Sequence, residues 1–518
     1  MKNNRGPGRA AITIFWIFFL LLSFSFAHAG ETVIRILHIN DFHGFAEPYT
    51  PLGSKEMLGG IAYLAARTDA LRKERPTLLL SAGDMIQGNN WANLFHGESV
   101  IELMNAMEFD AMALGNHEFD FGQEVLRKRI SEARFPVLGA NVQGLEMLKP
   151  FAVREISGVR IAIIGVVTDD TPVTTHPRNV AGLKFELPAD AVERYVRELR
   201  QKVDIIIVLS HSGYSADRLL AEKVEGIDVI VGGHSHTKLE KPVMPGKTVI
   251  VQAWEHGKAL GVLDLTVQDG KIIGFEGHLE EIRPASGAED KSVLAIVEKY
   301  TQKSDTALNE KVGEAEADLD GENMRSKETN LGDLVTDVMR KVSGADAAII
   351  NGGAIRTSIK KGAIRVKDIY SALPFHDYIV AIRLTGKQIR EALEHGVAAI
   401  EEGSGRFPQV SGISFSYAPT EKKGSRVKAI FITGKPLDPG REYTVATNDF
   451  LAAGGDGYKA FGDAIRSSED FSSIGGTLKG EKLVYSDPGK SLKDLLVEYS
   501  RTGKRIAPAV GGRIREIR

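Results

Sequence analysis

An α/β fold split between two globular domains is what this sequence predicts, on three observations. Apolar β-type runs alternate with amphipathic helical stretches, which argues for sheets covered by helices. The alternation occurs twice, with one long helical stretch between the two sets. At 518 residues the chain is also too long for a single core. Its 43% hydrophobic and 26% charged content is that of an ordinary globular protein.

Taken from the N-terminus, the first thirty residues stand apart. Lys2, Arg5 and Arg9 precede the apolar run AAITIFWIFFLLLSFSFA, and small residues follow at Ala27 and Ala29. A basic start, an apolar run and an A-x-A end read as a secretory signal peptide over 1–29, cut after Ala29. The run is close to the about 18 residues that cross a bilayer, so an uncleaved anchor is the alternative and the one route to a membrane. Either way the folded part is expected outside the cytoplasm, periplasmic or secreted. The chain has no cysteine, so no disulfide braces it and no thiolate serves as nucleophile or ligand.

A first domain over 30–284 follows. TVIRILHI, TLLLSAGD, DAMALGN, PVLGAN, RIAIIGVV, DIIIVLSH, IDVIVGGHSH and KTVIVQA are its β-type runs. GGIAYLAARTDALRKER and LPADAVERYVRELRQKV are helical in period. GVLDLTVQDGKIIGFEGHLEEI reads as a closing hairpin turned at Asp269-Gly270. The amphipathic stretch within EDKSVLAIVEKYTQKSDTALNEKV supplies a linker helix over 285–306, with a hinge expected near Glu298–Asp305. The second domain, 307–518, has a helix in ETNLGDLVTDVMRKVSG, a strand in ADAAIING and a helix in TGKQIREALEHGV. REYTVATNDFLAAGGDGYKAF reads as a strand running into a Gly-rich loop.

The formal net charge is −3 and no long basic stripe occurs, so polymeric nucleic acid is not an expected partner. The chemistry lies elsewhere. Five apolar strands of the first domain each end in metal-type side chains. They are Asp41 and His43 in NDFHG, Asp84 in SAGD, Asn116 with His117 in GNHEFD, His211 in SHSG, and His234 with His236 in GHSH. Strand alternation puts Asp41 and His43 on one side. In an open α/β sheet, sites gather beyond the carboxyl ends of the strands. Asp, Asn and His without Cys make a hard-to-borderline site that suits Zn, Mn, Fe or Co. Seven donors exceed one tetrahedral ion but suit two that share a carboxylate, and a pair about 3.5–4 Å apart clamps a phosphoryl transfer.

The set DxH, GD, GNHEFD, SHSG and GHSH resembles the calcineurin-like metallophosphoesterase superfamily, and the mature chain looks like the secreted bacterial 5′-nucleotidase/UDP-sugar hydrolase family. The resemblance implies a four-layer metallophosphoesterase β-sandwich flanked by helices, joined to a C-terminal α/β substrate-binding domain. It implies two divalent ions, one on Asp41, His43, Asp84 and His236, the other on Asp84, Asn116, His211 and His234. Some relatives carry Gln where His236 stands. The resemblance makes His117 catalytic, paired with Asp120, where an imidazolium stabilises charge on the transferring phosphate.

In the second domain, Phe375 in SALPFHDYIV and Phe450 in TNDFLAAGGDGY would by the same resemblance clamp the base, with Asp456 the partner of ribose. Arg325, Asn351 and Arg356 would contact phosphate or the substrate nearby; arginine suits a two-pronged grip on phosphate. Two departures stand out: Gly321 where some relatives have a further arginine, and Asp377 where others have Asn or Gly. The implied activity is release of phosphate from nucleoside 5′-monophosphates by attack of metal-bound hydroxide. The alternatives are a 2′,3′-cyclic-nucleotide phosphodiesterase/3′-nucleotidase or UDP-sugar pyrophosphohydrolase, and, from another class, a non-catalytic nucleotide-binding protein.

Overall fold

The computed structural model describes residue 1 and residues 31–517 apart from 52–53, 285–286, 468–471, 475–476, 503–505 and 507. The signal-peptide reading lies outside these residues. In the N-terminal region two sheets stack face to face. One has six strands, in the order Lys271–Glu281, Ala259–Gln268, Thr32–Ile39, Thr77–Ser81, Ala111–Ala113, Val137–Leu138. The other has five: Val249–Gln252, Val229–Gly232, Ile205–His211, Val159–Val167, Phe151–Ile156.

The strands are apolar on both faces because both faces are covered. Ile34, Ile36, Leu78 and Leu80 point inward to Ile161, Ile163, Ile205, Ile207 and Leu209 of the facing sheet. Their neighbours Leu37, Ile39 and Leu79 point outward, beneath helices Ile61–Arg72 and Glu98–Ala106. Ile206, Val208 and Ile230 are covered by helices Pro188–Leu199 and Tyr214–Lys223 on the opposite side. The result is the expected helix–sheet–sheet–helix sandwich.

Register brings the strand ends together. Ile39 pairs in parallel with Ser81, Val167 with His211, and Gly232 with both Ser210 and Gln252. The loops carrying Asp41, Asp84, His211 and His234 therefore leave one edge of the sandwich together.

The helix between the two regions runs Lys291–Leu308, begun by Asp290, whose carboxylate accepts the Ser292 and Val293 N–H groups. It is not a free tether. Val293, Val297 and Tyr300 are buried in the N-terminal core, and Tyr300 Oη donates to Glu102 at 2.7 Å.

The C-terminal region is built on a five-stranded sheet, ordered Pro408–Ser411, Ala347–Asn351, Glu442–Asn448, Tyr378–Thr385, Leu483–Ser491. Helix Asn330–Ser343, capped by Thr329 and ended by Gly344 in the left-handed region, covers it as its periodicity predicts. The expected Gly-rich loop after Asn448 differs in one respect. Asn448 caps a single helical turn, Asp449–Ala452, and the glycine turn comes only after it.

Candidate metal centre

Asp41, His43 and His236 bring ligand atoms together in one group, and Asp84, His211 and His234 in a second. Asp84 lies between them. Its Oδ2 is 3.0 Å from His211 Nε2 and 3.8 Å from His43 Nε2, one imidazole from each group. Asp41 Oδ1 is 3.2 Å from His236 Nε2 and 3.9 Å from His43 Nε2. The residues converge as expected, but strand alternation is not the cause. The strand ends at Ile39, and Asp41 (φ 50°) and His43 (φ 51°) turn toward the site through left-handed backbone. Asp84, His234 and His236 share that conformation.

Three of the four imidazoles are aimed by a bond on the far side. His43 Nδ1–H donates to Gln87 O at 2.8 Å and His211 Nδ1–H to Ala82 O at 2.6 Å. His236 Nδ1–H donates to the Glu255 carboxylate. These bonds leave the Nε2 lone pairs facing the cluster, and those of His43 and His236 are 3.3 Å apart. A cation between these nitrogens would draw a lone pair from each. Asn116 adds an oxygen. Its Nδ2–H₂ donates to Thr174 O at 3.2 Å, while its Oδ1 is buried without a partner. A buried acceptor left idle and a set of aimed nitrogens fit two N/O-bound divalent ions.

Electrostatics divide the imidazoles. Burial holds His43 well below the ordinary imidazole range and takes His234 down to about 3, leaving both as neutral donors. Burial opposes charge on His211 too, but Asp84 and Asp41 outweigh it and raise the group to about 10. Burial pushes Asp84 up, and His211 and His117 pull it well below the carboxylate range.

His117 adjoins the cluster without joining it. Its N–H donates to Asp84 Oδ1 at 2.9 Å and its Nδ1–H to Asp120 Oδ2 at 2.6 Å. Asp120 is in turn held by Thr175 Oγ1–H at 2.6 Å. Gly115 is required beside them, since a Cβ there would lie 2.2 Å from Asp84 Oδ1.

The C-terminal region meets this centre. Arg356 Nη2–H donates to His43 Nε2 at 3.0 Å. Burial, and then the charge of Arg325, lower Arg356 to about 10, and two guanidiniums facing one cleft suit an anion. The Phe375 ring lies 5.9 Å from that of His117. Phe450 lies over Gly455, at the turn that carries Asp456. No ring contact joins Phe375 to Phe450 among the described residues. The segments that carry them are tied instead by Asn448 Nδ2–H₂ donating to Asp377 Oδ2 at 2.7 Å and Tyr378 N–H to Asp449 Oδ1 at 3.0 Å. Burial, with Asp449 beside it, pushes Asp377 up to about 8. Asn351 Nδ2–H₂ donates to Asp456 Oδ2 at 2.7 Å, and Asn351 Oδ1 is buried without a partner.

Sequence reasoning missed the residues behind the first row. Glu118, 1% exposed, accepts the N–H groups of Asp84, Met85 and Gly115 at 2.9, 2.7 and 2.6 Å, locking two motif loops together. Burial and Asp84 raise it to about 6. Its place inside GNHEFD was the available signal. Glu255 and Asn93 lie outside every motif.

Comparison with known proteins follows the same division. Residues 34–238 match the calcineurin-like phosphoesterase family and residues 311–463 the 5′-nucleotidase C-terminal domain. The chain is 32% identical to the 5′-nucleotidase of Homo sapiens, across 94% of this chain and 91% of that one. It is 31% identical to the trifunctional nucleotide phosphoesterase YfkN of Bacillus subtilis across 93% of this chain, which spans 35% of that longer protein. The crystal structure of a 5′-nucleotidase precursor from Thermus thermophilus superposes with TM-score 0.84 at 33% identity, over 94% of this chain and 99% of that one.

Proposed function

The chain belongs to the 5′-nucleotidase family, metal-dependent phosphoester hydrolases built on the calcineurin-like fold, and from that premise we propose that it is exported and releases phosphate from nucleoside 5′-monophosphates. The observation that carries the reading is the position of Asp84, one oxygen of which faces an imidazole from each group. We take Asp41, His43, Asp84 and His236 as one ion's ligands and Asp84, Asn116, His211 and His234 as the other's. When bound, the two ions supply Lewis acidity toward phosphoryl oxygens and a nucleophile at neutral pH.

The chain's own groups do the rest. His117, steadied by Asp120 and Thr175, places an imidazole where negative charge grows and a proton is needed by the leaving oxygen. Arg356 and Arg325 grip the phosphate from the opposite wall. Phe375 and Phe450 hold the base, Asp456 and Asn351 the sugar side. Substrate then bridges two domains, 30–284 and 307–518, joined by the linker 285–306. The export reading rests on the 1–29 pattern and a cut after Ala29, which makes the protein periplasmic or secreted.

A second reading, that the chain accepts more than one kind of nucleotide phosphoester, is favoured by the YfkN relative, named a trifunctional nucleotide phosphoesterase. Gly321 argues against long phosphate chains. A Cβ there would lie 2.1 Å from Thr357 O, so no arginine fits at that point.

The test is a panel of AMP, UDP-glucose and 2′,3′-cyclic AMP, each given to protein reconstituted with Mn²⁺ or Zn²⁺. The highest kcat/KM is expected on AMP. A strong preference for the cyclic ester, or AMP binding without phosphate release, overturns the proposal.

A further inference from the structure

Behind His236 lies a turn that no motif predicts. Residues 253–257 are buckled onto the metal loops. Ala253 N–H donates to Asn40 Oδ1 at 2.7 Å, Asn40 Nδ2–H₂ to Trp254 O at 2.7 Å, and His256 N–H to Asp41 O at 2.7 Å. The backbone is unusual: Trp254 (φ 64°), His256 (φ 56°) and Gly257 (φ 64°) are all left-handed. Two non-glycine residues in that region within three positions cost about 1–3 kcal/mol each, a cost that tends to persist where a side chain must be aimed.

The side chain between them is Glu255. One carboxylate oxygen accepts His236 Nδ1–H, and the other is 2.6 Å from Lys258 Nζ. Lys258 is 5% exposed, and its ammonium lies 3.8 Å over the Trp254 ring. His256 lies on the far side, stacked on Phe45 at 3.9 Å and bonded through Nδ1 to Tyr49 Oη at 2.9 Å. His236, Glu255 and His256 bring their ligand atoms close enough to suggest a third cation site. The Lys258 ammonium on the same carboxylate rules against it: the charge a cation would use is already paired.

The remaining role is outward through the imidazole. Nε2 of His236 is 3.2 Å from Asp41 Oδ1 and 3.3 Å from His43 Nε2. A carboxylate on Nδ1–H fixes the tautomer, fixes the ring plane and makes Nε2 a stronger donor. The other two bonded imidazoles have only a backbone carbonyl in that place, Gln87 O for His43 and Ala82 O for His211. We propose that Glu255 is a positioning residue that tightens one ion, the one shared by Asp41, His43 and His236, through His236 alone. The inference rests on the reading of His236 as a ligand.

The test measures ion binding directly. Wild type, E255Q, E255A, H236Q and the E255Q/H236Q double variant are stripped with chelator and titrated with Mn²⁺ or Zn²⁺. Stoichiometry and a dissociation constant for each ion are then read by chelator competition. In E255A one ion should weaken by about 10–100-fold while the other holds its wild-type affinity. E255Q, which keeps an oxygen near Nδ1 and Lys258, should lose less. In H236Q the E255Q change should add nothing, because no imidazole is left to orient. Unchanged affinity in both Glu255 variants overturns the proposal, as does equal loss of both ions, or a full E255Q loss in the H236Q background. A wild type that binds fewer than two ions would instead defeat the reading of the centre on which this one rests.

Discussion

The metal side and the proposed base side of the cleft are built to different standards. Asp41, His43, Asp84 and His211 are at most 2% exposed, and five candidate ligand residues hold left-handed backbone. Such conformations cost about 1–3 kcal/mol each and survive only where surrounding packing imposes them. Here buried strands of two sheets impose them. On the proposed base side Phe375 and Phe450 are half-buried, on segments tied by two hydrogen bonds, and of the candidate residues there only Asp456 is left-handed, at φ 50°. The difference follows from what each side must do. Two ions and an in-line attack need donors fixed to a fraction of an ångström. Stacking tolerates sliding, because every base has a face to offer.

The largest expected effect breaks the first half of that contrast. His117→Ala removes an imidazole that packs edge-on against the His43 ring at 5.4 Å and keeps the backbone bond to Asp84. Turnover on AMP should fall on the order of 10²–10⁴-fold, while both ions stay bound at wild-type affinity. Steady-state kinetics beside metal analysis separates the two. An unchanged kcat would remove His117 from the chemistry, and lost ions would make it part of the scaffold.

A smaller effect tests the other half. Phe375→Ala or Phe450→Ala should raise KM for AMP by roughly 5–150-fold, equivalent to about 1–3 kcal/mol of stacking, with kcat nearly intact. On a phosphate ester that lacks a base, the same variants should match wild type. If KM for AMP does not move in either, these rings are packing and the base is held elsewhere.

The contrast also explains what the sequence could show. Asp41, His43, Asp84, Asn116, His211, His234 and His236 were legible because each follows an apolar run, and a run buried on both faces ends where a loop must begin. The reason offered for Asp41 and His43 failed even so. Alternation applies within a strand, and this strand stops two residues short. Glu255 was not legible, because its meaning comes from a side chain 19 positions away and from a left-handed turn that no residue pattern announces. Phe375 and Phe450 are candidates only through family resemblance, since a half-buried ring looks the same in sequence whether it packs or binds. The packing of Lys291–Leu308 onto the N-terminal region was likewise hidden, because an amphipathic period gives a face but not what covers it.

A buried amide also joins the two sides, and it gives the finest test. Asn93, 7% exposed, accepts Gly88 N–H with its Oδ1 at 3.0 Å and donates from Nδ2 to Gly88 O at 2.9 Å and to Pro374 O at 3.3 Å. Gly88 follows Gln87, the carbonyl that orients His43, and Pro374 precedes Phe375. The amide therefore spans from the loop that aims a candidate ligand to the loop that carries a candidate clamp. Asn93→Ala touches no candidate ligand, ring or His117, and removes the bridge together with the two bonds to Gly88. A group that sets the relation between two halves of a site should shift kcat and KM together, here by roughly 3–10-fold each, the equivalent of one ordinary hydrogen bond of about 0.5–1.5 kcal/mol. Asn93→Asp keeps the bond from Gly88 N–H but cannot donate to Pro374 O, so it should reproduce the loss if the bridge matters. A KM-only change in both variants would assign Asn93 to the base side, and a change in ion affinity would assign it to the metal side. Joint movement of the two constants is what the bridging geometry requires.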